Sequence, residues 1–193
     1  MTATLLMLLC APVLKPPARQ PPPPAAENAP AVAPEQLSPE ELQSRIDMYL
    51  GTIDRPVPPA RWQRLGPDAV PVLQKIAGDA AELPTRRAKA IHGISSIGSA
   101  DAPQLLLRLA RDEKEPTVVR LAAVAGAGRI LPRDRVVAEL GPLMEKSGNG
   151  HVRRAAAEVL AAHGGCAAVK AQAKREDQSA RMAKALQKCG AGE

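Results

Sequence analysis

The chain has 193 residues, a length that suits one domain with a single core, and it carries 26 Lys and Arg against 20 Asp and Glu, a net charge of +6. Phe is absent and Trp and Tyr occur once each, whereas 45% of the residues are hydrophobic. A core without rings is filled by small and branched aliphatic side chains, which favours closely packed helices over a sandwich or barrel. The scarcity of rings also argues against a surface that stacks nucleobases. Collagen, coiled-coil and multi-pass membrane architectures are excluded by composition.

The N-terminus contains a short apolar run, residues 4–14. It is too short to cross a bilayer as a helix and has the length of the apolar part of a secretory signal. No Lys or Arg precedes it, so a mis-assigned start and an apolar N-terminus of a cytoplasmic protein stay open as alternatives. Cys10 is a candidate lipidation site, although Leu9 is larger than the small residue typical before a lipidated cysteine. We interpret residues 1–14 as a signal peptide or apolar N-terminus and expect export to the periplasm or cell envelope.

Half of the 20 prolines fall between Pro12 and Pro39, four of them consecutively at 21–24. Proline has no amide donor and cannot enter a helix interior, so this composition is typical of an extended, flexible chain. We predict a disordered tether over residues 15–37, which would hold the following domain away from a surface.

The remainder of the chain repeats with a period of 33 residues, which indicates a repeat architecture. The segment 68–79 matches the segment 101–112, with Asp at both ends of each. Three further columns keep the same interval: Arg87, Arg120 and Arg153; Ala90, Ala123 and Ala156; and the acids Asp79, Asp112 and Glu145.

Within each unit, apolar residues recur at helical spacing in two segments separated by Pro or Gly, which predicts a helical hairpin. We therefore predict an all-α domain over residues 38–193, an α-solenoid of about four to five stacked helical hairpins after a disordered N-terminal segment. Its parts are an N-terminal cap at 38–66, repeats at 67–98, 99–131 and 132–164, and a C-terminal capping hairpin at 165–193.

Both caps contain residues with specific predicted roles. Ser38, Pro39 and Glu41 form the sequence pattern of a capping box at a helix start, and Trp62 is expected to fill the core of the N-terminal cap. Cys166 and Cys189 begin one predicted helix and end the next, so an antiparallel pair would bring them together. In an oxidising compartment we expect them to be bridged; two buried thiols are the alternative.

Residues 106–112 followed by 116–123, and residues 151–160, resemble HEAT repeats of the short bacterial type first noted in phycobilin lyases. The similarity covers about residues 60–164. It implies an α-solenoid whose second helices line the concave side and which binds other macromolecules. It also implies a structural ladder in which the acids Asp79, Asp112 and Glu145 pair with the arginines Arg87, Arg120 and Arg153. Two extra residues separate each acid from its arginine here, in comparison with the family.

The outward positions of the second helices give a candidate concave binding face of mixed and mostly small residues. A phosphate groove would need Arg or Lys at most of these positions, so the pattern favours a protein or peptide partner. The members of this face with larger side chains are His92, Leu121, Arg129, Arg154 and Glu158.

We predict a non-catalytic protein–protein interaction scaffold, exported and tethered, and not an enzyme. The sequence has no spacing typical of a metal site or a nucleophile–base pair, so no catalytic residue, metal or cofactor is assigned. We expect a monomer with an unidentified protein or peptide partner, and membrane contact only through the N-terminal segment. The alternatives are a HEAT-like enzyme or lyase subunit and a HEAT-like nucleic-acid-binding protein. The positive net charge favours nucleic-acid binding, whereas export and the lack of aromatic rings oppose it.

Overall fold

Helices and their connecting loops make up the computed structural model, which describes residues 33–53, 55–175 and 183–190. These residues contain no strand, so the predicted all-α class is confirmed for them. The helices are α1 (Pro39–Gly51), α2 (Pro59–Arg64), α3 (Ala69–Gly78), α4 (Pro84–Ile97), α5 (Ala102–Arg111), α6 (Thr117–Ile130), α7 (Arg133–Lys146), α8 (Gly150–Ala162), α9 (Cys166–Arg175) and α10 (Ala183–Gly190).

The expectations for the signal peptide, for Cys10 and for residues 15–32 lie outside the described residues. The end of the predicted tether differs from the expectation, because residues 33–37 lie against the domain instead of leading freely away from it. The amide of Glu35 donates to the Arg64 carbonyl at 2.7 Å, and Leu37 packs against the core. The hydrogen bond of the Glu35 amide and the core contact of the Leu37 side chain hold residues 33–37 in place.

The N-terminal helix begins as its sequence predicts. The hydroxyl of Ser38 accepts from the Glu41 amide, and the Glu41 carboxylate accepts from the Ser38 amide at 2.9 Å, which completes the capping box. Trp62 of α2 is buried, and its ring meets Tyr49 of α1 edge-on at a centroid distance of 5.2 Å. The only two aromatic rings of the chain thus pack together in the cap.

The later helices form hairpins that pack against one another in chain order. Helix α3 packs on α4, α5 on α6 and α7 on α8. The second helices also contact each other, α4 with α6, α6 with α8, and α8 with α10. We call α4, α6, α8 and α10 the second-helix row; it carries most of the contacts that join one hairpin to the next.

Glycines permit the close approach of helices along this row. A Cβ at Gly93 would lie 2.8 Å from a ring carbon of Trp62 and 3.0 Å from a methyl of Leu73. A Cβ at Gly128 in α6 would collide with the side chain of Val159 in α8. Because real Cβ atoms do not come so close to ring or methyl carbons, these two positions need glycine for the packing between helices, despite its low helix propensity.

The last two helices are joined through their cysteines. The Sγ atoms of Cys166 in α9 and Cys189 in α10 lie 2.15 Å apart, a disulfide distance, with their Cα atoms 5.5 Å apart. The structure therefore pairs the two residues that the sequence predicts.

The pairing predicts the number of reactive thiols. With Cys166 and Cys189 bridged, the uncleaved chain should show one thiol, Cys10, when titrated in denaturant without reductant, and three after reduction. Finding three thiols before reduction would exclude the bridge. By the chain-entropy argument, reduction should lower the free energy of unfolding by roughly 3 kcal/mol.

Candidate functional site

Two buried arginines occupy equivalent places in consecutive hairpins. Arg87 in α4 and Arg120 in α6 are each only 2% exposed. The Nε of Arg87 donates to the Ala77 carbonyl at 3.0 Å, and the Nε of Arg120 donates to the Ala110 carbonyl at 3.1 Å. Both carbonyls lie in the last turn of a first helix, where no intrahelical donor is available. Each arginine therefore caps the first helix of its own hairpin.

The same guanidinium groups also reach the next hairpin. Both carboxylate oxygens of Glu115, in the α5–α6 loop, lie 2.8 Å from Nη2 of Arg87. Arg120 donates Nη1 and Nη2 to Glu113 at 2.8 Å, and Nη2 also to the hydroxyl of Ser147, beyond α7, at 2.9 Å. One buried side chain thus bonds to elements of two successive hairpins.

The acid partners in the predicted ladder were wrong, although its arginines Arg87 and Arg120 do form ion pairs. The carboxylate of Asp79 accepts a hydrogen bond from the Ala81 amide, and that of Asp112 accepts one from the Lys114 amide, each at 2.9 Å. These bonds stabilise the turn that follows each first helix. The two extra residues noted in the sequence place these acids at the start of the turn. Two later acids of the α5–α6 loop take the ionic role instead, Glu115 with Arg87 and Glu113 with Arg120.

In the third unit the acid of the predicted ladder lies inside the first helix and not in the turn that follows it. Glu145 is exposed within the last turn of α7, and Nη1 of Arg153 donates to the Ser147 carbonyl at 2.7 Å. Glu82 and Glu115 are also 33 residues apart, but only Glu115 pairs with a buried arginine, and that arginine is Arg87 of the preceding hairpin. Glu82 itself pairs with the neighbouring Arg86 at 3.3 Å.

The buried position of Arg120 predicts a large loss of stability on truncation. Arg120→Ala should lower the free energy of unfolding by at least about 2 kcal/mol, because it leaves the Ala110 carbonyl without its donor and opens a buried space. Arg129→Ala, at an exposed position of the same helix, is the control and should change it by less than about 1 kcal/mol. Equal midpoints in urea unfolding would contradict a structural role for Arg120.

The carboxylate of Glu113 gives this network a pH dependence. Hydrogen bonds from Arg120, and further ones from Ser147, hold the pKa of Glu113 below its ordinary value of 4.5. A lowered folded-state pKa means that the ionised form stabilises the fold above pH 4.5 and that this contribution is lost as the pH falls through the folded-state value.

Glu113→Gln should therefore be less stable than the natural protein at pH 7, with the difference shrinking below about pH 4. Urea unfolding at several pH values measures this difference. The same substitution made in the Arg120→Ala background is the control, and there the difference should depend less on pH, because only the bonds from Ser147 and the Gly148 amide remain. A difference that stays constant with pH in the natural background would contradict the ion pair.

The five residues of the predicted binding face all lie on the second-helix row, and each has an identified environment. Nε2 of His92 lies 3.2 Å from the Val57 carbonyl; burial, and secondly the charge of Arg129, lower the pKa of this imidazole. Arg129 is exposed and donates to the Ser95 hydroxyl. Leu121 and Arg154 are half-buried, and Glu158 lies 3.7 Å from Lys184.

Two cavities open along the row. The first, of about 330 Å³, lies between the α1–α2 loop, α2 and α4, and we call it the apolar cavity. Its lining residues are Thr52, Ile53, Arg55, Pro56, Val57, Trp62, Ala88, Lys89 and His92.

The second cavity, of about 340 Å³, lies between α6, α8 and α10, and we call it the charged cavity. Its lining residues are Ala125, Gly128, Arg129, Ala155, Glu158, Val159, Ala162, His163 and Lys188. Of the predicted face, His92 lines the first cavity and Arg129 and Glu158 line the second, whereas Leu121 and Arg154 line neither. The α1–α2 loop and Lys188 were missed, because they lie in the caps, where the 33-residue period gives no signal.

Comparison with known proteins identifies no relative: no family model, no curated protein and no solved structure matches the chain. Within the ranges 33–53, 55–175 and 183–190 there is no group of three or more His, Cys, Asp or Glu that could hold a metal ion. Among the helices of these ranges, none has both the length and the apolar character needed to span a membrane.

Proposed function

We propose that this chain is a non-catalytic interaction scaffold, built as a HEAT-like α-solenoid, that binds a protein or peptide along its second-helix row. The observation that carries the proposal is the row itself, on which two cavities of about 330 and 340 Å³ open. Concave surfaces of this size with apolar walls and a few polar groups are typical of binding sites.

The side chains between and around the cavities are small. Ala88 lines the first cavity, and Ala125, Ala155 and Ala162 line the second. Small residues leave the helix backbones accessible to a partner. They also reduce the entropy cost of binding, because few flexible side chains have to be immobilised.

The buried arginines support the solenoid interpretation. Arg87 and Arg120 make the same bond to the end of their own first helix, and each also bonds to the next hairpin, Arg87 to the Glu115 carboxylate and Arg120 to the Ser147 hydroxyl. Bonds that recur from one hairpin to the next, together with contacts mainly between successive hairpins, are what a solenoid requires. Such a scaffold presents a preorganised face.

The disulfide-distance pair Cys166–Cys189 supports export, because disulfides persist in oxidising compartments. An exported domain after a proline-rich segment would stand off the surface to which its N-terminus is attached. We place the scaffold in the periplasm or cell envelope on this basis.

Site-specific photo-crosslinking in the native cells tests the binding face. A photoreactive residue replaces Ala125, which is exposed on α6 of the row, or Gln104, which is exposed on the first helix α5. We expect a discrete higher-mass adduct from position 125 at a yield at least about tenfold above that from position 104, because only position 125 lies on the proposed binding face.

A second comparison distinguishes specific binding to the second-helix row from nonspecific binding. The triple change Leu121→Ala, Arg129→Ala and Arg154→Ala should reduce the adduct from position 125. The matched triple on the first helices, Lys75→Ala, Leu105→Ala and Arg108→Ala, removes the same number of leucines and cations and should leave the adduct unchanged. Equal adducts from positions 125 and 104, or no adduct from position 125, would contradict the proposal.

A further inference from the structure

The apolar cavity offers unpartnered hydrophobic surface at the N-terminal end of the row. Its walls include Pro56, Val57, the ring of Trp62 and Ala88. Ile53 at its edge is 93% exposed, which is unusual for a large aliphatic side chain. An aliphatic group entering this cavity would bury its own surface together with that of Ile53.

The polar groups of the same cavity are basic. Arg55 is exposed, and Lys89 and His92 are half-buried. The ammonium group of Lys89 donates to the carbonyls of Leu50, at 2.8 Å, and Thr52 at the end of α1, which uses two of its three donors and leaves one for a ligand. Among the described lining residues, Arg55 and Lys89 carry positive charge, which is complementary to a carboxylate.

The row also carries positive charge near the charged cavity. Arg129 and Lys188 line that cavity, and a carboxylate oxygen of Glu158, the one acid among its described lining residues, lies 3.7 Å from Nζ of Lys184. Arg129 donates to the hydroxyl of Ser95, which lies three residues after His92 in α4, so Arg129 is near the apolar cavity. A partner lying along the row therefore meets an excess of positive charge, in keeping with the net charge of +6.

We propose that the apolar cavity receives an aliphatic side chain from an acidic segment of the partner protein, while carboxylates of that segment face Arg55 and Lys89. This inference rests on the proposed function, since it names the kind of partner that the row binds. The aliphatic side chain supplies affinity through burial, and the acids supply orientation along the row.

Trp62 provides a readout specific to this cavity, because it lines the wall and is the only tryptophan of the chain. The full chain is titrated with the blocked peptide Glu-Asp-Leu-Asp-Glu, and the fluorescence of Trp62 is followed. We expect a saturable change with a Kd in the range of about 0.1–1 mM. Replacing the leucine of the peptide by alanine, or its four acids by lysine, should weaken binding at least about tenfold.

Two variants of the protein and one control locate the binding. Ala88→Phe fills the cavity and should abolish the fluorescence change, whereas Ala155→Phe, made in the charged cavity, should preserve it. Arg55→Gln alters only an exposed side chain, so it tests the charge without a packing change, and it should weaken binding about threefold to tenfold.

Three results would overturn the inference: no saturable change with the acidic leucine peptide, equal responses to the acidic and lysine peptides, or an unchanged response in both Ala88→Phe and Arg55→Gln. A response to decanoate but not to the peptides would assign the cavity to a free amphiphile and would also overturn it. If these titrations fail while the adduct from position 125 persists, the scaffold function stands and only this choice of partner is wrong.

Discussion

A buried guanidinium has to be supplied with hydrogen-bond acceptors, and this requirement organises the domain. Arg87 and Arg120 satisfy it by bonding both to the end of their own first helix and to the following hairpin. A buried charge that lost these acceptors would be strongly destabilising, so the relative position of two successive hairpins is fixed by the same side chain. Helices of ten to fourteen residues, as α3 to α8 are, would be marginal in isolation and gain their stability from such contacts.

The small residues of the second helices add close packing to the hydrogen bonds that the arginines make between hairpins. Because it has no Cβ, Gly93 leaves room for the ring of Trp62, and Gly128 likewise leaves room for the side chain of Val159 in the next second helix. Contacts join α4, α6, α8 and α10 in succession, and mainly alanines and a few charged side chains line the cavity between the last three. The features that stabilise the domain therefore also create the surface on which we place its function.

The sequence predicted the helices and the recurring arginine column because both follow from the 33-residue period. Apolar spacing is set by helix geometry, so Leu73 and Leu106 mark equivalent buried positions. The acid partners were mispredicted because a turn is shaped by hydrogen bonds between neighbouring residues, and Asp79 and Asp112 are used there. The apolar cavity could not be predicted, since it depends on how the α1–α2 loop meets α4, a long-range contact that no repeat encodes.

A double-mutant cycle between Arg87 and Glu115 tests most directly whether one side chain couples successive hairpins. The free energy of unfolding is measured for the natural protein, Arg87→Ala, Glu115→Ala and the double variant. Coupling between hairpins predicts an interaction energy of at least about 1 kcal/mol, as expected for residues in one buried network. An interaction energy within about 0.3 kcal/mol of zero would mean that this side-chain pair does not couple the two hairpins, and it would contradict the account at its centre.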